Sequence, residues 1–204
     1  MSLYVTLPKY SWWQKLTQKR LPAGYQAGLT LNRIEKDITP YPCEWRTLGE
    51  LLIHLPQGLT VQVTERVKTL FMAFIVHSRF AISGQCNEKL VARIDVKTAG
   101  TTRKKQVHYT SKQVDGQMFI NQLNQYPVIQ QTLEELDFTY CSIEIQDGVW
   151  RCEIEPFTAS EMVSRLPAAR RYLRLTQLQR HRLLSALQLI HQLINKNDLS
   201  NNAQ

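Results

Sequence analysis

Six arginines fall within eighteen residues near the end of this chain: Arg165, Arg170, Arg171, Arg174, Arg180 and Arg182, with Tyr172 among them and no lysine. Guanidinium forks bind phosphate and carboxylate bidentately and stack on aromatic rings, which an ammonium cannot do. If Pro167 to Leu175 is helical, Arg170 and Arg174 stand at i,i+4, and Arg171 shares their flank. Two readings are open. The arginines pair internally with acids from the middle of the chain and cover apolar surface. Alternatively, Arg165, Arg170, Arg171 and Arg174 form an exposed anion-binding surface.

The charge distribution bears on that choice. The net charge is +8 over 204 residues. Residues 1–36 hold six Lys/Arg and one Glu, a net +5. Residues 37–159 hold twelve Lys/Arg and fourteen acids, a net −2, and residues 160–204 hold seven and two, again +5. If the two basic ends meet, Lys15, Lys19 and Arg20 join the arginines in one positive surface. The partner would be nucleic acid, an acidic protein or a lipid headgroup surface. Only Tyr172 is aromatic among the C-terminal arginines, so nucleic-acid binding would be sequence-independent and strongly salt-dependent.

Other chemistry is sparse. The chain has no G-x-x-x-x-G-K, G-x-G-x-x-G, H-E-x-x-H or G-x-S-x-G motif, which removes the common nucleotide-binding, metalloprotease and hydrolase readings. His54, His77, His108, His181 and His191 are scattered, and only His77 sits in an apolar stretch; it reads as a hydrogen-bonded structural histidine. His181 and His191 lie nearly three turns apart on one helix, too far to share a metal. Glu144, Glu153 and Glu155 fall on a hairpin, as an acid–base pair or as alternating polar residues on an exposed sheet face. Cys43, Cys86, Cys141 and Cys152 form no Cys-x-x-Cys pair and read as reduced thiols, although Cys141 and Cys152 flank a hairpin and a disulfide there is the competing reading. No metal or cofactor is expected, and no catalytic residue is assigned.

The elements that must position these groups follow from periodicity. Ser11 to Arg20 fits a short basic helix, and Tyr25 to Ile34 is undecided between strand and helix. Glu50–Leu55 and Leu59–Val67 flank Pro56-Gln57-Gly58 and read as a hairpin; Thr47-x-x-Glu50 offers a competing helix start. Leu70–Ser83 reads as a long buried strand, Leu90–Thr98 as an alternating strand and Arg103–Thr110 as an edge strand blunted by lysines. Val114–Asn124 reads as a helix with Met118, Phe119, Leu123 and Ile120 inward, and Pro127 opens another carrying Ile129, Leu133 and Leu136. Asp147-Gly148 joins Phe138–Gln146 to Val149–Glu155, with Cys141 and Cys152 diagonal across the ladder. Thr158-x-x-Glu161 signals a short helix that Pro167 ends or kinks. Thr176-x-x-Gln179 opens a second helix to about Ile194, with Leu183, Leu187, Ile190 and Ile194 as its apolar stripe.

Leu136-Asp137-Phe138, Trp150 and the run from Glu155 to Leu175 (EPFTASEMVSRLPAARRYLRL), with PAGYQAGLTL at Pro22 to Leu31, resemble an uncharacterised bacterial domain-of-unknown-function family, family 3156. The resemblance spans most of the chain and implies no activity. The expectation is an α+β fold, a mostly antiparallel sheet packed by helices with a C-terminal amphipathic helix. Residues 1–195 form one domain and 196–204 a frayed polar tail. With no membrane-spanning run and no signal peptide, the location is cytoplasmic. The leading function is a non-enzymatic binding module that contacts an anionic partner through its arginine-rich surface. The alternative is an enzyme or small-ligand-binding protein with a pocket between sheet and helices.

Overall fold

Period-two alternation along successive segments builds one large antiparallel sheet, and the helices gather on one of its faces. The computed structural model describes residues 21–87, 89–101 and 104–201. In chain order the elements are α1 (Leu29–Ile38), β1 (Cys43–Thr47), β2 (Glu50–His54), β3 (Thr60–Leu70), β4 (Ala73–Gln85), β5 (Ala92–Thr101), β6 (Lys104–Thr110), α2 (Val114–Asn124), α3 (Pro127–Glu134), β7 (Phe138–Gln146), β8 (Val149–Pro156), β9 (Ser160–Arg165), β10 (Ala168–Leu173) and α4 (Gln177–Asn201). The class is α+β, with the C-terminal helix in place.

The strand order is β1-β2-β3-β4-β8-β7-β5-β6, with β9 on β4 and β10 on β9. Strand β4 is long enough to take two neighbours on one side. Phe80 to Gln85 pair with β8, and Ala73 to Val76 pair with β9. On the helix-covered face, Phe80 and Ile82 of β4 meet Cys152 and Ile154 of β8 and Ile143 of β7, and Phe74 and Val76 are buried farther along β4 beside β9. Helix α1 packs on β2, β3 and β4, α2 on β5 and β6, α3 on β6, and α4 on α3, β4 and β8. Trp150 is fully buried beneath this layer because Gly84 opposite it has no side chain. A Cβ at Gly84 would stand 2.7 Å from the indole nitrogen.

The Asp147-Gly148 turn has both residues at positive φ, 52° and 73°, the geometry of a type I′ hairpin. Cys141 pairs with Ile154 and Cys152 with Ile143, so the two cysteines are diagonal, and none of the four cysteines is in a disulfide among the described residues. Helices α2 and α3, strands β5 and β6, and the β2–β3 hairpin also stand where periodicity put them. In Thr176-x-x-Gln179 only half of the box closes. The Gln179 N–H donates to Thr176 Oγ1 at 3.3 Å, while the Gln179 side chain spans to Glu135 O and the Asp137 N–H.

Several expectations are corrected. Thr158-x-x-Glu161 opens no helix: Ser160–Arg165 is strand β9, because the first residues of β4, beyond the reach of β8, need a ladder partner and pairing outweighs the local capping signal. Pro167 to Leu175 is not helical either, since Ala168–Leu173 is strand β10. Arg170 and Arg171 therefore point to opposite faces. The buried strand begins only at Ala73: Leu70 ends β3, and Phe71 and Met72 form the tight β3–β4 turn, with Phe71 93% exposed. Met118 faces solvent while Phe119, Ile120 and Leu123 are buried. Helix α4 runs to Asn201, since nothing after Ile194 breaks it. The undecided Tyr25 to Ile34 segment enters helix at Leu29. The basic helix expected at Ser11–Arg20 lies outside the described residues.

Candidate functional site

Carboxylates beneath α1 fix it to the sheet and absorb much of the arginine-rich stretch. Gly28, the residue before α1, has φ 80° and no capping side chain. Glu65 of β3 supplies the cap from outside. It accepts the N–H groups of Gly28 at 2.9 Å, Thr30 at 3.1 Å and Leu31 at 3.2 Å, and the Tyr25 hydroxyl at 2.6 Å. A carboxylate here also meets the positive end of the helix dipole. Burial and the adjacent Glu65 push the Tyr25 hydroxyl well above the usual phenol range.

Two more carboxylates hold the other side of α1. Glu161 is 1% exposed and accepts Arg170 Nη1 at 3.0 Å, while Arg33 Nη2 approaches at 3.4 Å. Asp37 accepts the Tyr172 hydroxyl at 2.9 Å, Arg174 Nε at 2.8 Å and the Leu175 N–H at 3.1 Å. Burial, then the charge of Asp37, drives the Tyr172 hydroxyl upward. Arg180 Nη1 donates to the carbonyls of Asp37 and Thr39 and closes the C-terminal end of α1.

The expected anion-binding arginines therefore divide. Arg170 spans from Glu161 to the Gly24 carbonyl at 2.9 Å. Arg174 gives its Nε to Asp37 but keeps 77% of its side chain in solvent. Arg180 and Arg182 bind carbonyls of Asp37 and Glu135. Arg165 and Arg171 are exposed and have no ion-pair partner among the described residues. The described part of the N-terminal basic segment meets the arginine-rich stretch: Arg170 bonds Gly24, and Arg33 lies 5.3 Å from the centre of the Tyr172 ring. Lys15, Lys19 and Arg20 lie outside the described residues.

A concavity of about 860 Å³ opens on the face of the sheet opposite the helices. Its walls include Arg66 and Lys68 of β3, His77 and Arg79 of β4, Tyr140 of β7 and Glu155 of β8. Arg79 forms the floor: its guanidinium donates to Glu153 at 2.8 Å and Glu155 at 3.2 Å and stacks 4.0 Å from the centre of the Tyr140 ring. Arg151 continues the chain of contacts from Glu153 to Gln62, and Gln62 reaches Glu50. Glu153 and Glu155 are thus held by arginine and Glu144 by Arg93. This is a charge-compensated lattice on the sheet, not an acid–base pair. Among the described residues no cluster of His, Cys, Asp and Glu could hold a metal ion.

The rim differs from the floor. Register places Lys68 opposite Ile75, Ile75 opposite Met162 and Met162 opposite Arg171, one row across four strands. Arg66 stands opposite His77 in the next row. Neither Arg66 nor Lys68 has an ion-pair partner among the described residues. Sequence reasoning missed both, although Arg66-x-Lys68 is the period-two spacing that puts two cations on one side of a strand.

His77 Nδ1 is buried at 3.5 Å from Glu155 without a hydrogen bond. Burial lowers its pKa against the upward pull of Glu155, and Lys68, Arg66 and Arg79 add to the lowering. Unfolded His77 takes up its proton below about pH 6.5 while the folded residue resists. Stability should therefore fall as pH drops through that window, and His191, lowered by burial, acts in the same direction. Urea unfolding of wild type and His77→Gln at neutral and mildly acid pH checks this. The variant should lose less stability on acidification, and equal losses would place the histidine proton uptake elsewhere.

Three comparisons with known proteins bear on this site. The model of a family described as a protein of unknown function (DUF3156) matches residues 36–194, more than half of the chain. No curated protein and no solved structure matches. No described helix is long and apolar enough to cross a membrane.

Proposed function

The chain belongs to this family of unknown function, DUF3156, which lends it no activity, and we propose from its geometry that it is a cytoplasmic, non-enzymatic module binding an anionic partner. One observation carries the reading. Arg66, Lys68 and Arg171 gather at one end of the open face, and Arg165 stands at the β9 end beside them, all without ion-pair partners among the described residues. Neither Arg66–Ile75 nor Met162–Arg174 contains an Asp or Glu. Uncompensated cations on one surface concentrate anions and speed their encounter. Arg170 and Arg174 support this surface from behind and hold it to α1.

Binding of a polyanion such as heparin or duplex DNA, measured across a salt titration, tests the proposal. Affinity should fall steeply with salt, and Lys68→Ala with Arg171→Ala should flatten a DNA log–log slope by roughly two units. No binding at low salt, or an unchanged slope in the double variant, overturns it. A second reading has its own support: a groove of about 860 Å³ suits a small ligand. A small anion held against Arg79 and His77 would compete with the polyanion for Arg66 and Lys68. Competition by inorganic phosphate or a dicarboxylate far below the concentration that screens charge would favour it.

A further inference from the structure

The same basic end carries a cluster of exposed apolar side chains. Phe71 is 93% exposed, Leu166 70%, Met162 49%, Met72 42% and Leu70 41%. The β3–β4 and β9–β10 turns that present them stand side by side, because Ala73 pairs with Ser164 and the Arg165 N–H donates to Met72 O at 2.8 Å. Met72 has φ 57°, a left-handed conformation that Gly, Asn or Asp adopts at less cost. Stability alone would place a small or polar residue there. The turn instead carries Phe and Met, the large apolar side chains that a tight turn least favours. Strain and exposure at one tip are what a contact surface shows.

We infer that the anionic partner is a lipid bilayer, docked through Phe71, Met72 and Leu166 with Lys68, Arg165 and Arg171 at headgroup level. This rests on the anion-binding reading and deepens it. The dimensions fit: Phe71 lies three residues beyond Lys68, about 10 Å along a strand. A basic residue at the phosphates thus puts the aromatic ring at the headgroup–acyl boundary, roughly 5–10 Å deep. The charge fits as well, since no carboxylate lies in either tip to oppose an anionic leaflet. A nucleic acid satisfies the cations but leaves the apolar tip in water. An apolar protein groove takes the tip but has no use for the flanking cations. An anionic bilayer matches both, each basic residue contributing roughly fivefold to partitioning.

The test is co-sedimentation of the full chain with phosphatidylcholine vesicles, with and without about a third phosphatidylglycerol. Wild type should bind only the anionic vesicles. Phe71→Ser should lose at least about tenfold of that binding while keeping its affinity for heparin. Lys68→Ala, Arg165→Ala and Arg171→Ala together should lose vesicles and heparin alike, by on the order of a hundredfold for vesicles. Met72→Gly relieves the left-handed strain, so it should raise the thermal midpoint while weakening vesicle binding, which a purely structural residue would not do. If wild type binds heparin or duplex DNA but no vesicle, or if Phe71→Ser binds vesicles as wild type does, the bilayer is not the partner and the anion-binding module stands. If no polyanion and no vesicle is bound, both fail.

Discussion

Leu187→Ala should cost about 2–5 kcal/mol of folding stability. Leu187 is fully buried in the middle of α4, with Leu183, Leu184, Ala186, Ile190, Leu193 and Ile194 buried around it. The helix packs against α3 on one side and against β4 and β8 on the other. Burying one leucine side chain contributes roughly 1.5–3 kcal/mol. The rest of the loss comes from the cavity, because neighbours in a close-packed interior relax only partly into it. Leu178→Ala on the same helix is the control. Leu178 is 57% exposed, so its truncation should stay within about 0.5 kcal/mol. Urea midpoints for the two variants decide the matter. A cost below ~1 kcal/mol for Leu187→Ala would mean that α4 is not part of the core.

Helix α4 was legible because its signals are local: a capping threonine, then apolar residues at helical spacing. The Asp147-Gly148 hairpin was legible for the same reason, since only a turn with two positive φ values asks for that pair. Strands β9 and β10 were not. Ser160–Arg165 becomes a strand because β4 outruns β8 and leaves Ala73 to Val76 unpaired, a fact about register between segments some ninety residues apart. The Phe71-Met72 turn was hidden in a continuous apolar run, with no Gly, Asn or Asp to mark it. The groove was illegible for a third reason. Most of its residues come from β3, β4, β7 and β8, and only the strand order shows that Arg66, His77, Arg79 and Glu155 are neighbours. Conversely, the arginine-rich run was plain in the sequence, while its division was not. Alternation along β10 sends Arg170 to Glu161 and leaves Arg171 in solvent.

Arg79→Ala should be the most damaging single change on the open face, costing about 3–5 kcal/mol at neutral pH. The side chain is 10% exposed and divides its fork between Glu153 and Glu155. The two carboxylates are unequal without it. Glu153 keeps Arg151, whose Nε donates at 2.8 Å. Glu155, 11% exposed, keeps only the Thr139 hydroxyl at 2.9 Å and a His77 whose pKa is lowered. A buried carboxylate without a cation has lost its water and its partner together. Arg79→Lys retains the charge at one point but cannot span both acids or lie flat on Tyr140, so about 1–3 kcal/mol should still be lost. Arg79→Met combined with Glu155→Gln removes both charges and should recover much of the deficit. A double-mutant cycle on the pair measures this, and additive losses would show that the two side chains do not depend on each other. The cycle also separates the floor of the groove from its rim. Arg79 is matched by acids and belongs to the fold, whereas Lys68 and Arg171 are unmatched and remain available to a partner. Polyanion binding should therefore survive Arg79→Lys and weaken in Lys68→Ala with Arg171→Ala.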